Sequence, residues 1–543
     1  MNIEKYKENS RRKKIIITFL FFVVAVLGIG YYYKTFANFQ TNKDFNIINA
    51  SVTNPGDIYF AYHVDDQITT VFPSKSEGLT IDLTNSYCNN GVDFVWNQSQ
   101  YALTLKYNNF DTTSTTRTRC DLYFVHKLIY DDGTGANIPE LATGMIPIYY
   151  DDTTMKVADT SREWYNYAEH EWANAVLVDT SNSTIKNKYF NDDMSLKTTA
   201  VGQTVDMSEV QQMYVWIPRY RYQLWNVNNG SSDPQAINIV FEDKNTTKNT
   251  GSQNGDWLTH PAFTFGTEEL NGIWVGKFEN SGDTSNITIK PNMASIASTN
   301  VSTMFNATRA VESSSLLGLD AKQVDTHMMK DTEWGAVAYL YSSIYGTYNA
   351  DQSCISRGCE VWINNVSSNG AWNGTKYTGC AAQGVSSGPV TGTSCESGRG
   401  WDGAGVNAST TGNMYGIYDM SGGNWEYTMS VMQQSNGTPQ IQSSGFSSMP
   451  DSKYYNTYPY GTSELEHSRG TIGTATKETL KTVGNGYGAW NKDLSVLVYS
   501  SSAWALRGGH AYGATNAGVF AFNRNYGGAY SNFGFRLVLA LTA

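Results

Sequence analysis

The sequence predicts an α+β protein in three parts: a membrane-spanning helix, a small all-β sandwich, and a larger mixed domain that carries the functional residues. Three observations predict it. A long apolar run follows a basic cluster near the N-terminus. Short β-branched and aromatic runs, separated by Asn, Asp, Gly and Ser, fill residues 51–130. Beyond residue 144, strand-like runs alternate with long polar loops, and a helical pattern appears. At 543 residues the chain exceeds one ordinary core, so two or three domains are expected.

Taken in order, residues 1–14 form a basic segment ending in "RRKK", Arg11 to Lys14. The run from Ile15 to Tyr33 would be about 28 Å long as a helix, enough to cross a bilayer. Cations on its N-terminal side place that end in the cytoplasm. A signal peptide cleaved near Thr35-Phe36-Ala37 is the rival, and the length of the run favours an uncleaved anchor. A single-pass cell-membrane protein with its other domains outside the cell is expected. Residues 34–50 read as a linker and 51–130 as the sandwich, a spacer with nothing catalytic in it. The mixed domain spans 145–543. Its clearest helix is "DTEWGAVAYLYSSIYG", with Asp331 or Thr332 able to cap it.

Composition narrows function. The net charge of −11 excludes nucleic acid as a partner, since phosphate binding needs a basic face. Tyrosine, at 36 copies, serves either β cores or recognition surfaces. Six cysteines suit an exported chain. Three local pairs are the simplest pairing: Cys88 with Cys120, Cys354 with Cys359, and Cys380 with Cys395. Metal binding by these thiols lacks a CxxC or a neighbouring His cluster.

"MYGIYDMSGGNWEYT", Met414 to Thr428, resembles the signature of the formylglycine-generating-enzyme family. Thr332-Glu333-Trp334, Arg507-Gly508-Gly509 and Gly534-Phe535-Arg536 are similar to three further motifs of that family, in the same order. The resemblance covers about residues 214–538 and implies a C-type-lectin-like fold. Asp419, Trp425, Glu426, Arg507, Gly508, Gly509, Gly534, Phe535 and Arg536 are the fold residues it marks. On physical grounds Trp425 is a core anchor. Arg536, set between Phe535 and Leu537, needs a buried carboxylate or carbonyl partner, and Asp419 and Glu426 are the candidates. Metal or acid/base chemistry is the alternative use of those two acids. Formylglycine formation requires two cysteines before the terminal Gly-Phe-Arg, and the chain has none after Cys395. The Asn that ligates calcium in that family falls on Gly423 here. No catalytic residue and no cofactor is therefore expected, and calcium lacks support.

The last stretch, Gly508 to Arg536, contains no Lys, Glu, Gln, Met or Trp. That pattern resembles the variable proteins of diversity-generating retroelements, which share the lectin-like fold and diversify their C-terminus at template adenines. An AAC template codon cannot become any of those five residues. The resemblance marks a variable region of about 504–536. Its changeable, ligand-binding positions would be His510, Ala511, Tyr512, Ala514, Tyr526, Gly528, Ala529, Tyr530, Ser531 and Phe533. Asn525 and Asn532 could be unmutated copies. "AGVFAF", Ala517 to Phe522, alternates as a half-buried strand should, and "FGFRLVLAL" gives a second strand. The expected function is binding of a macromolecule, most naturally a protein, by a bacterial or prophage-encoded surface protein. The alternatives are a non-diversified adhesion protein of the same fold and a degenerate oxidoreductase of the formylglycine-generating type.

Overall fold

The computed structural model describes residues 58–542 apart from 65–66, 70, 74–78, 84, 98–101, 108–117, 127–129, 246–247, 348–359, 382–389, 393–394 and 396–397. The chain divides into two compact units, Met1–Lys127 and Leu128–Ala543.

In the first unit, Ile58–Val64 pairs in parallel with Thr118–His126, from Ile58 opposite Thr118 to Val64 opposite Phe124. Gln67–Thr69, Leu79–Ile81 and Tyr87–Cys88 complete that sheet, and Val92–Asn97 forms a separate hairpin with Ala102–Tyr107. Tyr62, Leu79, Ile81, Val92, Leu122 and Phe124 make its core. The Cys88–Cys120 disulfide joins two neighbouring strands of the sheet.

The second unit is built on two sheets. The larger runs Val324–Met328, Leu537–Leu541, Gly272–Gly276, Val210–Pro218, Asn174–Val178, Ile146–Asp151, Thr154–Val157, with every neighbour antiparallel. Its three central strands, Gly272–Gly276, Val210–Pro218 and Asn174–Val178, are almost wholly buried because both faces are covered. The terminal "LVLAL" therefore lies between two strands rather than fraying at an edge. The smaller sheet runs Asn456–Tyr458, Trp425–Met432, Trp504–Arg507, Phe522–Asn525, with Phe533–Phe535 parallel to the start of Trp425–Met432.

The described α-helices are short: α1 Ser183–Tyr189, α2 Val301–Ala310 and α3 Asp331–Tyr341. Helix α3 is wholly buried, and Gly335 is what lets it lie there. A Cβ at Gly335 would stand 2.1 Å from the Gly473 carbonyl oxygen. Neither Asp331 nor Thr332 caps the helix as expected. The Asp331 carboxylate instead accepts the hydroxyls of Thr428 and Tyr458, at 2.7 and 2.6 Å. Glu333 closes the helix start by accepting the Lys330 backbone N–H.

Several expectations are corrected. The described residues are mostly β-strand and irregular chain with few helices, so the α+β class with a leading transmembrane helix does not hold. No helix among the described residues is long and apolar enough to cross a membrane, so the expected single-pass localisation is not supported. The run Ile15 to Tyr33 itself lies outside the described residues, as do Cys354 and Cys359. "FGFRLVLAL" is not one strand but two, placed in different sheets and broken at Arg536. "AGVFAF" is not a strand over its length. Ala517 to Ala521 are all buried, and the strand begins only at Phe522. The reason lies in the segment before them. Asp493 accepts the Phe520 N–H, Leu494 donates to the Asn516 carbonyl, and Phe522 donates to the Leu494 carbonyl. The backbone of 516–522 thus finds partners in an irregular neighbour rather than a continuous ladder.

Candidate binding surface

Arg536 sits where the chain passes from one sheet to the other, and its fully buried guanidinium fixes that passage. It donates to both Glu426 carboxylate oxygens, at 2.5 and 3.0 Å, to the Gly276 carbonyl at 2.8 Å, and to the Tyr418 carbonyl at 3.0 Å. Glu426 is thus the hydrogen-bonded partner of Arg536. The Asp419 carboxylate instead accepts from Gly379 N–H, Asn364 Nδ2 and Glu279 N–H. Asp419 holds φ at +61° to make these bonds. Both acids hold loops in place. Among the described residues, no group of three or more His, Cys, Asp or Glu is arranged to hold a metal ion.

The segment expected to vary, about 504–536, opens with the strand Trp504–Arg507. Arg507 anchors it, donating to the carbonyls of Thr474 and Ala475 and lying over the Trp334 ring. Gly508 and Gly509 then take φ of +83° and +80°, which turns the chain outward. A Cβ at Gly509 would meet Ala517 at 2.4 Å, so the two limbs of the loop close on each other there. Gly534 packs against Asn424, and Phe535 is fully buried. A second turn at Gly527, φ +87°, leads into Phe533–Phe535.

The ten expected ligand-contacting residues divide by burial. Tyr512, Tyr526, Ala529 and Ser531 are exposed, and Ala514, Gly528 and Tyr530 are half-buried. His510, Ala511 and Phe533 are buried, so they are placed to shape the surface rather than to touch a ligand. Asn525 is half-buried and Asn532 buried. Phe533 packs on Tyr427 and Tyr530, with ring centres 5.2 and 4.8 Å away. Tyr526 and Tyr530 meet edge to face, and their hydroxyls hydrogen-bond. Tyr427 supports this group from below, its hydroxyl donating to Asn525 Oδ1 and the Gly528 carbonyl.

A second aromatic group contains a residue that the sequence did not flag, Trp372. It lies in the polar loop before Lys376, and among the described residues it is the one tryptophan left exposed, at 51 %. Its ring stands edge-on to His510, centres 4.0 Å apart, and reaches Tyr512 at 6.4 Å. Trp425 lies on His510 from the buried side, at 6.2 Å. Burial, with Lys376 adding to it, pushes the His510 imidazole down to about 4, so the ring is neutral at ordinary pH. Its Nδ1 accepts the Tyr512 N–H at 2.9 Å.

The two groups flank the same short stretch, residues 423–425. Ala511 N–H donates to the Gly423 carbonyl, and Trp425 N–H donates to the Asn532 carbonyl. The loops that surround them, 368–375, 510–516 and 526–532, contain no Lys, Arg, Asp or Glu. They are made of Tyr, Trp, Asn, Ser, Gly, Ala and Thr with His510 beneath. Among the described residues a separate cavity of about 740 Å³ lies away from these loops, lined by Asn137, Glu140, Arg221, Glu242, Asp243 and Asn271 among others.

No family model matches the chain, and no curated protein does. Among solved structures, one similar chain is described as the Major Tropism Determinant U1 variant. It is 12 % identical, the match covers 83 % of this chain and 94 % of that one, and the TM-score is 0.23. At that TM-score the likeness supports neither a shared fold nor a shared activity.

Proposed function

We propose that this chain is a ligand-binding protein whose C-terminal segment presents changeable residues to a protein target, as the variable proteins of diversity-generating retroelements do. It acts by binding and not by catalysis. One observation carries the reading: two aromatic groups with exposed rings, Tyr526 with Tyr530 and Tyr512 with Trp372, lie on loops that contain small polar residues and no charged ones, and loops 510–516 and 526–532 both bond to the same stretch 423–425. That mixture is the one antibody paratopes use. Tyr and Trp supply rigid contact area, while Ser, Gly and Asn supply adaptable hydrogen bonds. Exposed aromatic clusters of this kind mark protein-binding sites, and their aromatic residues tend to carry most of the affinity. The buried frame of Arg507, Trp425, Glu426 and Arg536 supports the same reading, because surface substitutions around an intact frame cost little stability.

Peptides selected from a phage-displayed random library against the full chain provide a probe. Tyr526→Ala with Tyr530→Ala is expected to weaken their binding at least tenfold with the melting temperature kept. Because the face is uncharged, affinity should change less than about threefold between 50 and 500 mM NaCl. Selected peptides that bind the double variant as they bind the natural chain would overturn the reading.

A further inference from the structure

We infer that Trp372 is a fixed anchor of this face and that position 510, itself buried, sets specificity by positioning the Trp372 ring; the inference rests on the binding reading above. Trp372 lies outside the changeable segment, on a loop that is held rigidly. Ser368 N–H donates to the Thr375 carbonyl, Gly374 N–H donates to the Ala371 carbonyl, and Asn369 and Gly370 both turn with positive φ. The buried Lys376 ammonium donates to the Trp372 carbonyl at 3.0 Å and to the Gly374 carbonyl. A half-exposed tryptophan on a braced loop is pre-organised for contact, which is what a binding hot spot requires.

Position 510, at 5 % exposure, then gains a role that needs no contact with a partner. The imidazole is sandwiched between Trp425, which is buried, and Trp372, which is not. It also accepts the N–H of Tyr512, the other exposed aromatic of the group. A change at 510 alters the height and tilt of Trp372 and the start of the Tyr512 turn without any contact to the partner. The face is therefore composite: a constant aromatic anchor from one loop, with a changeable buried residue beneath it and changeable residues beside it. The partner that suits it is a folded protein or peptide offering an uncharged apolar pocket to a large ring.

Two measurements test this. In protein labelled with 5-fluorotryptophan, Trp372→Phe assigns one fluorine resonance, and His510→Asn should shift that resonance and that of Trp425, the other ring packed on the imidazole, while leaving the remaining twelve nearly in place. Asparagine keeps an acceptor for the Tyr512 N–H, and a thermal melt confirms that the variant is folded. With phage-selected peptides, Trp372→Ala is expected to weaken binding at least tenfold. His510→Asn should re-rank the peptides by threefold or more, and should add nothing in the Trp372→Ala background. If Trp372→Ala leaves affinity within twofold while the Tyr526/Tyr530 variant loses tenfold, the anchor is wrong and the binding face stands. If neither variant matters, the binding face itself is wrong. Equal effects of His510→Asn with and without Trp372, or an unmoved Trp372 resonance, would remove the positioning role.

Discussion

Arg536→Met is expected to destabilise the second unit by about 3–5 kcal/mol, the cost of leaving a buried carboxylate without its cation. Arg536 is fully buried and makes its bonds to Glu426, Gly276 and Tyr418 at the point where the chain leaves one sheet for the other. Methionine fills a similar volume and supplies none of those donors. Glu426 is then left buried without its cation, beside two further acids, Asp419 and Glu279. The double variant Arg536→Met, Glu426→Gln should recover a large part of the loss, since the buried charge is gone and only polar groups remain to be satisfied. Urea unfolding followed by tryptophan fluorescence measures both. A single variant that loses less than about 1 kcal/mol, or a double variant no better than the single, would show that the pair does not secure the sheet crossing.

The second large effect is on pH dependence. Asp493 and Glu360 are hydrogen-bonded to each other, and burial lifts both, Asp493 to about 7 and Glu360 well above the usual carboxylate range. Neither Glu360 Oε1 nor Asp493 Oδ1 has a donor, which fits two carboxyls sharing a proton. Arg507 lowers Asp493 only in part. For an acid whose folded pKa lies above its unfolded value, the stabilising contribution is complete below the unfolded value, near 4, and is lost as pH rises through the folded value. The second unit should therefore lose stability between about pH 4 and pH 7, by a few kcal/mol at most. Asp493→Asn should reduce that slope and leave the part carried by other buried acids, chiefly Glu426, which burial also lifts to about 7. Because Asp493 accepts the Phe520 N–H and lies against Gly518, the loss should appear first in residues 516–522, as faster amide exchange. A flat stability profile over that window in the natural chain would exclude the shared proton.

Much of this frame was legible because single residues had few ways to be satisfied. An arginine between Phe535 and Leu537 had to find a buried acceptor, and Glu426 provides it. Trp425 had to be a core anchor, and it is 4 % exposed. What stayed hidden depended on contacts distant in sequence. Trp372 sits in a Gly/Ser/Asn-rich loop with no periodic pattern, and only the folded chain brings it against His510. The burial of His510, Ala511 and Phe533 was equally invisible. Residue types in the terminal segment indicate what can occur at a position, not which side of the backbone it faces. The strand expected over Ala517 to Phe522 failed because its alternation was not two-sided. Every residue from Ala517 to Phe522 is buried, and residues 493 and 494 take up backbone groups that a ladder would have used. The change of sheet at Arg536 could not be read either, because "FGFRLVLAL" is a continuous strand by propensity and is divided by where its partners lie.

The most direct test of the central claim is to sequence this locus, with any template repeat and reverse-transcriptase gene beside it, across many sibling isolates. A diversified binding face predicts that codons for Tyr512, Ala514, Tyr526, Gly528, Ala529, Tyr530 and Ser531 vary, with every change at a template adenine. Codons for Trp372, Trp425, Glu426 and Arg536 should stay constant, and those for the buried Ala511 and Phe533 should vary least within the segment. Constant codons throughout 510–533, or differences scattered over non-adenine positions, would contradict it.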